Sequence, residues 1–185
     1  MTAMTRNPDT AVAVRRLHRP HSNLRLALLV AGVTLGATAS PQILMQANIS
    51  AAQARRIVDT IIAECSEPGE LLTVTIAVVD RAGQPIMQVR ADTASPHNWE
   101  LAYRKAYTAR TYRRTTLDWR DRTAEGSDLA GQRMLSDVVP LGGGVPIMRG
   151  NDALGGVGVS GSTSGQEGDS ACAAAGIAAI ADELE

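Results

Sequence analysis

The chain has 185 residues, a formal net charge of -1 and an ordinary apolar content of 44%. That length bounds a single domain, and the near-zero charge offers no electrostatic case for a nucleic-acid partner. Aromatic residues make up only 3% and Phe is absent, so the core has to be built from Val, Ile, Leu, Ala and Met. Lys105 is the only lysine among 18 basic residues, and it lies in the most distinctive segment of the chain.

Residues 1–39 read as a secretory signal peptide and residues 40–185 as the mature domain. Arg6, Arg15, Arg16, Arg19 and Arg25 precede an apolar run over residues 26–37, and Ala37-Thr38-Ala39 supplies a small-x-small cleavage site. The run is shorter than the roughly 20 residues that span a bilayer. An uncleaved anchor and a plain N-terminal extension are the alternatives. Cleavage after Ala39 removes five arginines and one aspartate, leaving 13 basic against 18 acidic residues and a net charge of -5. The expected location is the periplasm or the extracellular space. Export would permit Cys65 and Cys172 to pair. Two buried, unpaired thiols are the other reading.

Within the mature chain, Ser50 and Gln53 have the spacing of a capping box, and Ala54, Ile57, Val58, Ile61, Ile62 and Cys65 recur at helical spacing. This predicts a helix over 50–66, stopped by Pro68-Gly69. Residues 71–79 alternate as a strand. The turn at 80–83 leads to a second strand over 85–90. Ser95 and Pro96 have the residue types of an N-cap and a first helical position, which predicts a helix from there to about 114. Its stripes are Trp99, Ala102, Tyr103, Ala106 and Ala109 on one side, and Leu101, Lys105, Thr108 and Tyr112 beside them. A short helix is expected around 117–122 and a polar loop with one helical turn over 123–137. Val138 to Leu141 is an apolar run. Strands are expected at 145–148 and 154–160, joined by a hairpin, and an Ala-rich helix over 169–184. Three glycines in the 154–160 strand imply that something packs close to it. The order predicts an α/β (α+β) fold with about five antiparallel strands flanked by helices.

Five segments, in order over roughly residues 48–184, resemble the GlcG/HbpS family, which includes the C-terminal domain of PduO proteins. They are Ile76 to Gly83, Ala102 to Ala109 (the A-x-x-K-A-x-T-A helix), Gly143 to Ile147, Gly155 to Gly161, and Asp169 to Ile177. The resemblance implies a profilin-like sandwich that assembles into homo-oligomers and binds haem or a related tetrapyrrole. An exported member would be tied to iron or redox handling, or to haem degradation.

With haem as the implied cofactor, His97 is the candidate iron ligand, being the only histidine after residue 39. A solvent-facing histidine in the first helical turn is its alternative reading. Met87, Met148, Tyr103 and Tyr107 are secondary ligand candidates. Lys105 suits a haem propionate or another carboxylate, and equally an ion pair within or between subunits. Thr108, one turn on, would donate to the same anion or bond back to its own helix. Gly142 to Gly144, with Gly143 and Gly144 as the site candidates, form either a backbone donor nest for that anion or a plain turn. The basic run Arg110, Arg113, Arg114, Arg120 and Arg122 is read as a solvated face or a subunit contact, not a nucleic-acid surface. No nucleophile elbow, H-E-x-x-H, C-x-x-C or phosphate-binding loop occurs, which points to a binder more than an enzyme. Two further readings compete with haem: an accessory small-carboxylate binder of a catabolic pathway, and an oligomeric scaffold.

Overall fold

The computed structural model describes residues 42–65 and 72–185. The expected signal peptide, the Pro68-Gly69 helix stop and the first residue of the predicted 71–79 strand lie outside the described residues. Residues 44–185 form one compact unit.

Helix α1 spans Ala51–Glu64, and the predicted capping box forms: Gln53 N–H donates to Ser50 Oγ, and the Ser50 N–H donates back to Gln53 Oε1. Strands β1 (Thr75–Val79) and β2 (Pro85–Arg90) follow as a hairpin. Helix α2 (Asn98–Tyr112), the short α3 (Thr116–Arg122) and a 3-10 turn (Ala130–Met134) precede β3 (Gly144–Arg149) and β4 (Asp152–Ser160). Helix α4 (Gly165–Ala178) and a 3-10 turn (Ala181–Glu183) end the chain.

The sheet is antiparallel in the order β2-β1-β4-β3. It has four strands, not the expected five or so. The apolar run at Val138 and Val139 is buried but does not join the sheet, because side chains satisfy its backbone. The Val138 carbonyl accepts from Arg104, and the Val139 N–H donates to Thr108 Oγ1 at 3.0 Å.

Alternation along the strands sorts the core onto two faces. Ile76, Val78, Val157, Val159 and Ile147 face α1 and α4, where Ile57, Val58, Ile61 and Ala173 complete an aliphatic core. Cys65 at the end of α1 and Cys172 on α4 are bonded across this layer, with their Cα atoms 5.8 Å apart. Ala77 and Val79 face α2, against Ala102 and Ala106. Here the strand glycines find their reason. A Cβ on Gly158 would stand 2.0 Å from the Ala102 carbonyl oxygen and 2.6 Å from the Ala106 nitrogen. The α2 backbone therefore lies directly on β4.

Helix boundaries differ from expectation in α2 and at both ends of α4. Helix α2 begins at Asn98, after Ser95 and Pro96, and the Ser95 carbonyl only closes a turn with the Asn98 N–H. The start is set by a tertiary contact instead: buried Asn98 Oδ1 accepts from Ser160 Oγ at the end of β4. Helix α4 starts four residues before Asp169, because Gly165, Gln166, Glu167 and Gly168 join it, and it ends at Ala178 instead of running to 184, where a 3-10 turn at Ala181–Glu183 replaces its expected last turn.

Candidate functional site

Helix α2 and its N-cap carry His97, Tyr103, Lys105, Tyr107 and Thr108, and the helix faces separate them; Met87 lies on β2 and Met148 on β3. The buried stripe is Asn98, Ala102, Lys105, Ala106, Thr108 and Ala109. Trp99 does not follow Ala102 inward as the predicted stripe implied. It is 48% exposed, and Tyr103 is half-buried beside it.

Lys105 is 2% exposed, and its ammonium donates to Asp169 Oδ2 at 2.7 Å and to the Val159 carbonyl at 3.0 Å. Of the readings open for this residue, the structure holds the ion pair within the chain. Burial pulls the ammonium pKa down, and the Asp169 carboxylate acts in the opposite sense. The other Asp169 oxygen accepts from the Ser162 N–H at 2.9 Å. The pair links α2 on one face of the sheet to α4 on the other, around the end of β4. Gly143 makes room for it: φ is 118°, and a Cβ there would lie 2.4 Å from the Val159 oxygen and 2.9 Å from Lys105 Nζ. The Gly142 N–H donates to Gln166 and the Gly144 N–H to Thr116 Oγ1. These amides of the expected donor nest thus meet acceptors of the chain itself. Thr108 bonds back to the Arg104 carbonyl at 2.7 Å while accepting from Val139. Lys105, Gly143 and Gly144 are therefore brought together at the end of β4, with Lys105 engaged by Asp169 and Val159, whereas Thr108 bonds separately to Arg104 and Val139.

Asp169 is the member of this network that sequence reasoning missed. Its signal was present: a single buried lysine needs a carboxylate, and Asp169 opens one of the five characteristic segments.

His97 occupies the N-cap position of α2, is exposed, and makes no capping hydrogen bond. Two residues on, Trp99 enters the wall of an open, largely apolar hollow of about 320 Å³, completed by Pro85, Gln88, Glu100 and Tyr103. Gln88 of edge strand β2 donates to the Trp99 carbonyl at 2.5 Å, which ties the helix start to the sheet edge. Burial, reinforced by Asp137 and Tyr107, raises the Tyr103 phenol above the ordinary tyrosine range. A phenolate ligand at Tyr103 works against that shift. Tyr107 stands next to Tyr103, with ring centroids 6.0 Å apart. Met87 pairs with Val78 and packs on the α1 side of the sheet, and Met148 lies on the opposite edge strand, so neither belongs to the hollow.

The basic run divides. Arg114 pairs with Asp118 and Arg120 with Asp121. Tyr112 stacks on buried Trp119 at 4.8 Å. Among the described residues, no helix is long and apolar enough to cross a membrane.

Comparison with known proteins agrees with this architecture. A family model described as "Haem degrading protein HbpS-like" matches residues 49–178. An uncharacterised 15.0 kDa protein of the dhaT-dhaS intergenic region of Citrobacter freundii is 31% identical over 123 residues, covering 65% of this chain and 85% of that protein. The crystal structure of a double mutant of Streptomyces reticuli HbpS superposes with a TM-score of 0.69 at 25% identity, over 78% of this chain and 94% of that one. The PduOC:heme complex gives 0.64 at 27% identity, over 72% and 95%. With its fold and some seven-tenths of its length matched, this chain belongs to the HbpS-like family.

Proposed function

We propose that this chain binds haem or a related tetrapyrrole against the outer side of α2, at the Trp99–Tyr103 hollow. The observation that carries this reading is an indole left half-exposed over an apolar hollow, next to an exposed histidine at a helix start. The heme complex of PduOC supports it at the level of the family. The donor set fits: a flat apolar macrocycle stacks on aromatic and proline surface, and the His97 imidazole is a nitrogen donor of the type that holds haem iron. Bound there, the group would supply iron-centred ligand-exchange and redox chemistry. Trp99, Tyr103 and Pro85 would pack against the macrocycle, and His97 would supply a nitrogen ligand to its iron. The Lys105–Asp169 network, with Thr108, Gly143 and Gly144, would hold α2 at a fixed height above the sheet, keeping those side chains in register.

We further infer that the protein works outside the cytoplasm as a homo-oligomer. The hollow is open on one side, so a second copy would close it. Met134 and Leu135, exposed by 87% and 57%, are apolar surface of the kind that oligomers cover.

A hemin titration of the full chain, followed by visible absorption, tests the binding. A saturable, stoichiometric Soret band is expected, shifted in His97→Ala and weakened in Trp99→Ala. Absence of a saturable band would overturn the haem reading. A band unchanged in both variants would move the site elsewhere. Sedimentation with and without hemin tests the assembly, for which a monomer in both conditions is the contrary result.

A further inference from the structure

At the far end of α2 a second hollow has a different chemistry. It measures about 380 Å³, within the range of roughly 300–1,000 Å³ typical of small-molecule sites. Its walls are Gln46, Asn48, Arg81, Ala82 and Arg110. It shares no wall residue with the hollow assigned to haem, and Tyr103 and Arg110 are about 10 Å apart along the helix at 1.5 Å per residue.

The basic side chains here are unequally engaged. Arg81 is spent on the fold: it forks onto Asp152 at 2.8 and 2.5 Å, and its Nε donates to the Ala47 carbonyl. Arg110 is different. Its Nε is shielded from solvent and has no hydrogen-bond partner. That nitrogen is out of reach of the hollow, but the Arg110 side chain lines it and makes no ion pair with any described residue, so an oxyanion entering there gains a charge-assisted pair with its terminal amino groups without displacing a carboxylate. Asn48 turns its Oδ1 to the Ile49 and Arg81 backbone N–H groups, which leaves its amide NH2 as the donor for a ligand. Arg113 and Arg149 also act on Asp152, and both are exposed. On the acidic side stand Asp152, already forked by Arg81, and Asp80, which accepts from the Ala82 and Gln84 N–H groups in its own turn. Of the two arginines on the wall, Arg81 is offset by Asp152 and Arg110 is not, which leaves the wall net positive.

We propose that this hollow binds a small-molecule oxyanion, a carboxylate or a phosphate, with Arg110 as its principal anchor and the Asn48 and Gln46 amides as secondary donors. The planar guanidinium matches two oxygens of either group. The site does not depend on haem, and no residue of the haem hollow takes part.

Calorimetric titration of the full chain with citrate, succinate and inorganic phosphate at low ionic strength tests it. Saturable one-to-one binding of at least one anion is expected, weakened about tenfold or more by Arg110→Met, which keeps the apolar stem. Arg110→Lys should restore part of the loss. Should Arg110→Met fail to fold, Ala82→Glu places a carboxylate at the exposed rim and should abolish binding. Arg55→Ala, on the outer face of α1, should leave it unchanged. Preference for citrate or succinate assigns carboxylates; preference for phosphate assigns phosphates. No saturable binding by any of the three, or equal loss in Arg110→Met and Arg55→Ala, would overturn the proposal.

Discussion

The two faces of the sheet are held by different physics. Toward α1 and α4, side chains of Ile, Val and Leu fill the space, and a disulfide spans the layer. Toward α2 there is almost no side-chain volume: glycine and alanine bring backbone onto backbone, and the stripe includes a buried lysine, threonine and asparagine. An aliphatic layer tolerates adjustment, because its atoms are flexible and nondirectional. A backbone-contact layer with buried polar groups does not, because a shift breaks hydrogen bonds that nothing else can replace. Both candidate hollows lie along the rigid helix, His97 and Trp99 at its start and Arg110 near its end. Rigid elements are where a binding geometry is best kept.

The largest expected effect is on the aliphatic side. Opening the Cys65–Cys172 bridge, which spans 107 residues, should cost up to about 4 to 5 kcal/mol in the chain-entropy view. Denaturant unfolding with and without reductant measures this. A loss below about 1 kcal/mol would mean the hydrophobic layer holds α1 to α4 unaided.

Next comes the polar side. Lys105→Met leaves the Asp169 carboxylate buried and uncompensated, at about 3 to 5 kcal/mol. Adding Asp169→Leu should recover most of that. If the double variant is no more stable than the single, burial of an unpaired charge is not the cause.

A matched pair of glycine substitutions then contrasts the faces directly. Gly158→Ala drives a methyl into main-chain atoms of α2 and should cost about 3 kcal/mol. Gly176→Ala on α4 meets only side-chain atoms, of buried Ile61 at 2.7 Å and Ile57 at 3.0 Å, and gains about 1 kcal/mol of helix propensity, so it should cost clearly less than Gly158→Ala. Equal costs in thermal or urea unfolding would erase the distinction between the layers.

The smallest effect is at the surface. The Arg81 hydrogen bonds hold the Asp152 carboxyl below its ordinary value of 3.8. The unfolded chain therefore takes up this proton first. The contribution is present above that value and fades as pH falls through the lower, folded one. Asp152→Asn should flatten the acid limb of a urea-midpoint profile taken down to about pH 3, and an unchanged limb would show the pair to be dispensable.

Much of this molecule was legible in the residues. Local signals set the elements: the Ser50–Gln53 capping box, the apolar spacing of α1, the alternation of β1 and the Asp80–Gly83 turn are short-range facts of the chain. The glycines of β4 announced a close neighbour, although not which one. The five ordered segments pointed to the family, and with it to the fold. Other features were decided only in three dimensions, where distant residues meet. The run at Val138 and Val139 has strand-like composition, yet side chains of α2 claim its hydrogen bonds before a strand can. The start of α2 follows Asn98 and Ser160, not the cap-like Ser95. Lys105 could have faced a ligand or a carboxylate of its own chain, and Asp169, 64 residues away, takes it. Cys65 and Cys172 were compatible with pairing or with solitude until α1 and α4 were laid side by side. Nor does any local pattern mark Arg110 as the arginine on the wall of a hollow that the fold leaves without an acidic partner. Charge, spacing and propensity are properties of the chain, whereas the satisfaction of a buried donor or a buried charge depends on which remote group the fold delivers to it.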